Sequence, residues 1–407
     1  MSRIETLYLS RNGLLEPLGQ SQVMSYLRGL SRDYRITLIT YEKPEDWSDT
    51  VRMDQARADC AAHGINWLPQ KFAPRPKIIA PAFSMIRMVW LVWREVRRDN
   101  IRLIHARSNI PATAALAVSR ITGVPFLFDL RSLFTEELIT ARRLRRGSVL
   151  HHAILWAERA CLAGSAKVIS QTQAAVNHLK RVYPNELQNQ RIVMISTCAD
   201  LDRFTPVENK SVSLAVHGCI GTVLSGWFRT DWLANWIYVV AERNPDARFD
   251  IVTRDDAIRA RASIDPKGML GERLRVGPRL PSEMPDTVRS HDLSVLFYAG
   301  GEISELGRSP TRMAEVLGCG LPIVANEGVG DVADIVRNNR VGVIVAGPEP
   351  AQMNAALDEL ETLINDPDLP ARCRATAEAL FSLETGTEAY RGIYASILHT
   401  EDGACVA

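Results

Sequence analysis

Short apolar runs of β type alternate with amphipathic helical stretches in each half of this chain, and that alternation limits the available folds more than any other feature. ETLYLS (5–10), RITLIT (35–40), RLIHA (102–106), PFLFDL (125–130) and KVISQT (167–172) mark strands in the first half, with a helix over 111–122. AVHGCIG (215–221), ARFDIVT (247–253), RLRVG (273–277), LSVLFY (293–298), LPIVAN (321–326) and VGVIV (341–345) repeat the scheme in the second. Strands separated by helices join parallel sheets that helices cover on both faces. At 407 residues the chain is too long for one ordinary core, so two domains are expected, about 1–200 and 201–385. The turn-rich stretch TCADLDRFTPVENK (197–210) reads as the linker.

The expected fold is therefore α/β, with two Rossmann-like domains facing across a cleft. Ligands of such sheets bind beyond the carboxyl ends of the strands, which sorts the candidate residues. After the first strand, SRNGLLEPLGQSQ (10–22) places Gly13, Gly19 and Gln20 in a loop that leads into a helix. Two readings stand: a simple turn, or a loop whose amides receive a phosphate or substrate. It is not GxGxxG, which disfavours a dinucleotide enzyme. His105 ends the strand RLIHA and is either a packed residue or a contact to a diphosphate or sugar hydroxyl. Asp129 and Arg131 end the next strand, as an internal ion pair, an acceptor contact, or both.

In the second half, SPTRMAEVLGCGLPIVANEGVGD (309–331) starts a helix just before a strand. Ser309 is expected as the N-cap, with Pro310 and Thr311 in the first turn, where exposed amides suit a phosphate. Arg312 adds a bidentate donor to the same anion. Glu315 lies one turn in, where a carboxylate either accepts from vicinal hydroxyls such as those of a ribose or complements the helix dipole.

Charge divides the halves. Residues 1–200 hold 28 Lys and Arg against 17 Asp and Glu (+11), and residues 201–407 hold 20 against 30 (−10). The positive half favours an anionic partner, nucleic acid or lipid. SMIRMVWLVWREVRR (84–98) and ARRLRRGSVLHHAILWAERACLAG (141–164) combine cations with large apolar residues. For the first, with Trp90 and Trp93, ordinary core packing is the favoured reading. For the second, with Arg142, Arg143, Arg145, Arg146 and Trp156, an anionic membrane surface is favoured. No nucleic-acid recognition motif accompanies it. Seven scattered cysteines without CxxC spacing point to a reducing cytoplasm, and no apolar run reaches the roughly 20 residues of a membrane span. The expected location is cytoplasmic, peripheral on the inner face of the cell membrane.

These motifs, with YLSRNGLLEPLGQSQV, LIHARSNIPATAALAV, TGVPFLFDLRSLFTEE and VMISTCADLDRF, resemble glycosyltransferase family four over nearly the whole chain. The resemblance implies the GT-B fold and transfer of a sugar from a nucleotide-sugar donor, with retention and without a metal or other cofactor. It implies a glycan or lipid-linked acceptor of surface polysaccharide synthesis. It places the donor ribose at Glu315, the diphosphate at Ser309 to Thr311, and His105 near the transferred sugar. It also returns a terminal helix (386–400) to the first domain. The chain departs from the family in having Gly307 where a first glutamate is usual, with Glu302 or Glu305 as nearby substitutes. It also has no basic residue after the first strand of the second domain until Arg229, so neutralising the diphosphate falls to Arg312, Arg308 or Arg229. Asp255 and Asp256 are adjacent, unsuited to bridging a metal, and read as a solvated turn. A catalytically silent scaffold and a sugar-nucleotide epimerase are the alternative functions.

Overall fold

The structure, a computed structural model, describes residues 3–72, 79–188, 191–208 and 213–404. The chain forms two compact units, one made of the chain up to Ile195 and from Leu383 onward, the other of Ser196–Ser382.

The first unit is built on a parallel sheet of seven strands: β1 Ile4–Ser10, β2 Tyr34–Glu42, β3 Asn66–Lys71, β4 Leu103–Arg107, β5 Phe126–Leu130, β6 Lys167–Ser170 and β7 Ile192–Met194. Their order is β3-β2-β1-β4-β5-β6-β7. β4 and β5 are buried along their whole length, as continuous apolar runs in a parallel sheet must be. The helix Asn109–Thr122 ends at Gly123, whose left-handed backbone (φ 77°) stops it cleanly. The terminal helix Leu383–Ala404 belongs to this unit and sets Tyr390 and Tyr394 against His105.

The second unit repeats the plan with six parallel strands: β8 Val216–Ile220, β9 Arg248–Val252, β10 Leu274–Gly277, β11 Leu293–Leu296, β12 Ile323–Asn326 and β13 Gly342–Val345. Their order is β10-β9-β8-β11-β12-β13. The stretch expected as a linker is packed rather than loose. Leu201 and Phe204 enter the second core beside Met313 and Leu317, and Ala199 N donates to Phe381 O at 2.9 Å. Arg374 holds the segment by donating to the carbonyl oxygens of Leu201 (3.0 Å) and Phe204 (2.7 Å). Residues 209–210 of that stretch lie outside the described residues. No described helix is long and apolar enough to cross a membrane.

A buried histidine gives the second core a pH signature. His217 on β8 accepts from Trp236 Nε1 at 3.2 Å, and burial pushes its pKa down from 6.5 to about 4. The folded state thus keeps the ring neutral while the unfolded chain takes up a proton below pH 6.5. Stability is full above 6.5, falls through the window down to about 4 and then levels off, for a total of about 3 kcal/mol. Urea titrations at pH 7.5 and 4.5 should show this loss, and His217→Gln, which keeps an acceptor for Trp236, should lose less. An equal acid loss in the variant would place the effect elsewhere.

Candidate functional site

The site residues of the second unit gather at the carboxyl ends of its strands. Helix Thr311–Gly318 opens after Pro310, which takes the cap position in an extended conformation (φ −69°, ψ 115°), and no side chain caps the helix. Ser309 stands one residue too early to cap: its Oγ accepts from Thr197 N at 3.2 Å. The first-turn amides are therefore left without a side-chain acceptor at the positive end of the helix dipole, an arrangement suited to an anion. Arg312 leaves that first turn and donates through Nη1 to Glu315 Oε2. Glu315 is only 6% exposed, while the Arg312 side chain is 32% exposed, so the carboxylate is shielded and its partner faces outward.

The loops beside this helix are tied together. Asn326, at the end of β12, accepts from Tyr298 N (2.9 Å) and donates to the carbonyl oxygens of Tyr298 and Glu327 (both 3.0 Å). Gly328 has φ 77° and lies against Gly301, where a Cβ would overlap the backbone. Arg308 stacks on Tyr298 (5.2 Å) and Trp227 (5.6 Å) and donates through Nη2 to Glu305 Oε1 at 2.9 Å. Glu305 is fully buried and committed to that pair, whereas Glu302 is exposed and Gly307 is buried. Arg229 forks onto Asp231 (3.0 and 2.7 Å) and covers the Trp232 ring, so its charge is already balanced. Asp255 is no solvated turn residue: it accepts from Val223 N (2.7 Å) and Leu224 N (2.9 Å) and closes the loop after β8. Asp256 caps the helix Ala257–Ile264 through Arg259 N at 2.8 Å.

In the first unit the loop after β1 is closed in the same way. Leu14 N and Leu15 N donate to the buried Glu42 carboxylate at 2.7 and 3.2 Å, and Gly13 N donates to Glu16 Oε1 at 3.1 Å. Gln20 Nε2 donates to Leu14 O at 2.9 Å, and Gly19 packs so tightly on Gly13 O and Leu14 O that a side chain there is excluded. The amides at 13–15 are thus committed internally, which corrects the reading of this loop as an anion cradle and favours the turn.

His105 is 1% exposed, with Nδ1 2.8 Å from the Tyr394 hydroxyl and Nε2 3.4 Å from Asp129 Oδ2. Burial lowers its pKa against the pull of Asp129. A ring so enclosed does not itself touch a sugar. Asp129, with no exposed surface, is approached by Tyr390 Oη (3.3 Å), Arg131 Nη1 (3.4 Å) and Arg107 Nη1 (3.6 Å). Burial alone would raise its pKa; Arg131, then His105 and Arg107, override it and hold the carboxyl well below its usual range. The ion pair expected between Asp129 and Arg131 is present, inside a larger cluster than the sequence implied.

A model of the glycosyl transferase 4-like domain matches residues 19–198, and one of glycosyl transferases group 1 matches residues 215–362. The chain belongs to the GT-B glycosyltransferases of family-four type. Its fold is shared with a sucrose-phosphate synthase from Thermosynechococcus elongatus, at TM-score 0.70 and 16% identity, over 97% of this chain and 100% of that one. It is shared with Anabaena HepE, solved in complex with UDP-glucose, at TM-score 0.67 and 16% identity, over 97% and 100%. WaaG, a glycosyltransferase involved in lipopolysaccharide biosynthesis, matches at TM-score 0.63 and 12% identity, over 95% and 99%. No curated protein matches the sequence.

Sequence reasoning missed Glu42 and the role of Asp255 in this glycosyltransferase. Both carboxylates lie at the end of the second strand of their unit, a position whose only sequence signal is an acid closing an apolar run. The first basic segment departs from the expected core packing. Trp90 is 52% exposed and Trp93 36%, so the helix Ile79–Asp99 does not bury its tryptophans. Trp156 (69%), Val149 and Leu150 are exposed on helix Val149–Gly164, beside the exposed Arg142, Arg143, Arg145 and Arg146, of which Arg146 pairs with Glu136.

Proposed function

We propose that this enzyme transfers a sugar with retention from a nucleotide-sugar to a glycan or lipid-linked acceptor in surface polysaccharide synthesis, without a metal. The observation that carries the reading is the uncapped helix Thr311–Gly318, with Arg312 in its first turn and the shielded Glu315 one turn on. Glu315 takes the donor ribose by accepting from its two hydroxyls. The diphosphate meets the first-turn amides from Thr311 onward, with Pro310 and Ser309 shaping the entry, and Arg312 turns from Glu315 to the anion. Arg308, held flat by Trp227 and Tyr298, supplies a second cation. Arg229, paired with Asp231 as Arg308 is with Glu305 and Arg312 with Glu315, is a third.

In the transfer step the C1–O bond to the diphosphate breaks, the acceptor hydroxyl oxygen bonds to C1 on the same face, and its proton passes to the departing diphosphate. Amides and guanidiniums already in place stabilise that leaving charge. His105, Asp129 and Arg131 act as positioning residues that fix the strand ends of the first unit. The exposed Trp156 and the four arginines at 142–146 suit an anionic membrane, where a lipid-linked acceptor resides.

The test is a calorimetric titration with UDP, GDP, ADP, CMP and their sugar conjugates, starting with UDP-glucose, which HepE binds. One nucleotide should bind saturably, and Glu315→Ala should weaken it by about 10- to 100-fold, the value of one or two hydrogen bonds to a charged group. Binding of no nucleotide, or undiminished binding to the variant, would leave a silent scaffold as the better reading. Conversion of donor without acceptor would indicate an epimerase.

A further inference from the structure

The first unit holds a second cationic site, built differently from the cluster around Asp129. Tyr41 on β2 is paired in register with Gln70 on β3, so both project to one face of the sheet. Tyr41 is 5% exposed, and its hydroxyl is buried without a hydrogen-bond partner among the described residues. A buried hydroxyl is nearly always bonded, so an orphan of this kind calls for an explanation. Arg11 follows β1 at the same end of the sheet and lies over the face of Phe72, 5.3 Å from its centroid. Arg87, on the helix Ile79–Asp99, donates to Gln70 Oε1 at 3.1 Å. Gln70 in turn donates to the carbonyl oxygens of Leu68 (3.3 Å) and Pro69 (3.0 Å), so its amide oxygen is fixed toward Arg87. Both guanidiniums act electrostatically on the Tyr41 hydroxyl, opposing the burial that pushes its pKa up to about 12.

Among the described residues the site has no counter-charge. Several other arginines of this unit have carboxylates: Arg28 has Asp59, Arg52 has Asp46, and Arg107 and Arg131 have Asp129. Arg11 and Arg87 have none among the described residues. The described residues 60–72 and 79–94, which include Gln70, Phe72 and Arg87, contain three Lys and Arg and no Asp or Glu. Two guanidinium forks and a hydroxyl donor, from two strand ends and a helix, match a tetrahedral oxyanion, which accepts from several directions at once.

We propose that Arg11, Arg87 and the Tyr41 hydroxyl bind a phosphate group carried by the acceptor. The inference rests on the glycosyl-transfer reading and narrows its acceptor to phosphorylated molecules. The phosphate is borne either by a lipid carrier or by a soluble glycan, and in both cases its oxygens take the donors that the fold leaves open.

Inorganic phosphate is titrated calorimetrically into the wild-type chain, into Arg11→Gln/Arg87→Gln, into Tyr41→Phe and into Arg312→Gln. The first double variant should weaken binding at least about tenfold, and Tyr41→Phe should weaken it less. Arg312→Gln should leave this site intact. Thermal melting checks folding: phosphate should raise the wild-type melting temperature, and the double variant should melt close to wild type in phosphate-free buffer, because it breaks no ion pair and loses only the exposed Arg87–Gln70 hydrogen bond and the Arg11–Phe72 contact. Sedimentation with phosphatidylcholine vesicles containing phosphatidic acid then separates the sources. Partition that falls in the double variant indicates a lipid-borne phosphate, and unchanged partition with loss of the calorimetric site indicates a soluble one. Phosphate binding lost only in Arg312→Gln, or both phosphate binding and partition unaffected by the double variant, would overturn the proposal. UDP titration of the same proteins reports separately on the donor site, so its failure is distinguishable from failure here.

Discussion

Asp129→Ala is expected to destabilise the first unit by about 3–5 kcal/mol, the usual cost of stripping one partner from a buried ion pair. Asp129 is fully buried, and the side chains of Arg107 and Arg131 are each 8% exposed, so the two cations would be left in a low-dielectric interior with no carboxylate. The four approaches to Asp129, at 3.3–3.6 Å, are long for hydrogen bonds, which makes charge balance the main term. Asp129→Asn keeps the shape and an acceptor but not the charge, and should recover only part of the loss. The effect has a pH window. Because the folded pKa is depressed, the stabilisation is present above the unfolded value near 3.8 and disappears as pH falls below it toward the folded value. Wild type and Asp129→Ala should therefore converge in strong acid. Denaturant titration of the full chain checks this, and a loss under about 1 kcal/mol at pH 7 would mean that Asp129 does not balance the buried charge.

The same substitution should loosen the terminal helix Leu383–Ala404. Tyr390 reaches Asp129, Tyr394 reaches His105, and Arg391 donates to Asp33 Oδ2 at 2.7 Å. The first two anchors converge on a single charge cluster, so its collapse removes both. Faster proteolysis near residue 383 at pH 7 is the corresponding readout.

How far the sequence could be read follows from where each signal is stored. Central strands such as PFLFDL and LPIVAN are buried on both faces and announce themselves as apolar runs. The edge strands β3 and β7 were not legible. NWLPQK carries a proline and polar residues, and IVM is only three residues long, because an edge strand needs neither full burial nor a complete ladder. The helix that carries Glu315 was legible because it and the following strand form a local pattern. The cap was misplaced by one residue: Ser309 is a good capping residue by type, but the extended Pro310 takes the cap and the Ser309 hydroxyl is spent on Thr197. His105 read as a site residue because of its place at a strand end; only the distant Tyr390 and Tyr394 reveal that the terminal helix covers it. Contacts separated by nearly three hundred residues leave no periodicity to read.

Glu42→Ala is expected to cost about 3 kcal/mol, since it orphans two buried amides and the Thr40 hydroxyl, each worth about 1 kcal/mol or more when left unpaired. The carboxylate accepts from Leu14 N, Leu15 N and Thr40 Oγ1 at 2.7, 3.2 and 2.6 Å, which fixes the loop after β1. Asp255 plays the same part in the second unit, taking Val223 N and Leu224 N of the loop after β8. In each unit, an acid at the end of the second strand neutralises the first loop from inside. This explains why these amides are not open to a phosphate, and it is consistent with the proposal that the uncapped helix at Thr311 takes the anion. Glu42→Gln should lose less than alanine, because its remaining oxygen can keep Leu14 N and Thr40 Oγ1 while the NH2 is set against Leu15 N. Asp255→Ala, on a half-buried clamp, should cost less and should act through the second unit alone. If the two loops are clamped independently, the double variant Glu42→Ala/Asp255→Ala should lose the sum of the single losses in a denaturant titration. Amide exchange at residues 13–15 should rise only with Glu42→Ala, and at 223–224 only with Asp255→Ala. Exchange rising at both loops from one substitution would show that the two clamps are coupled.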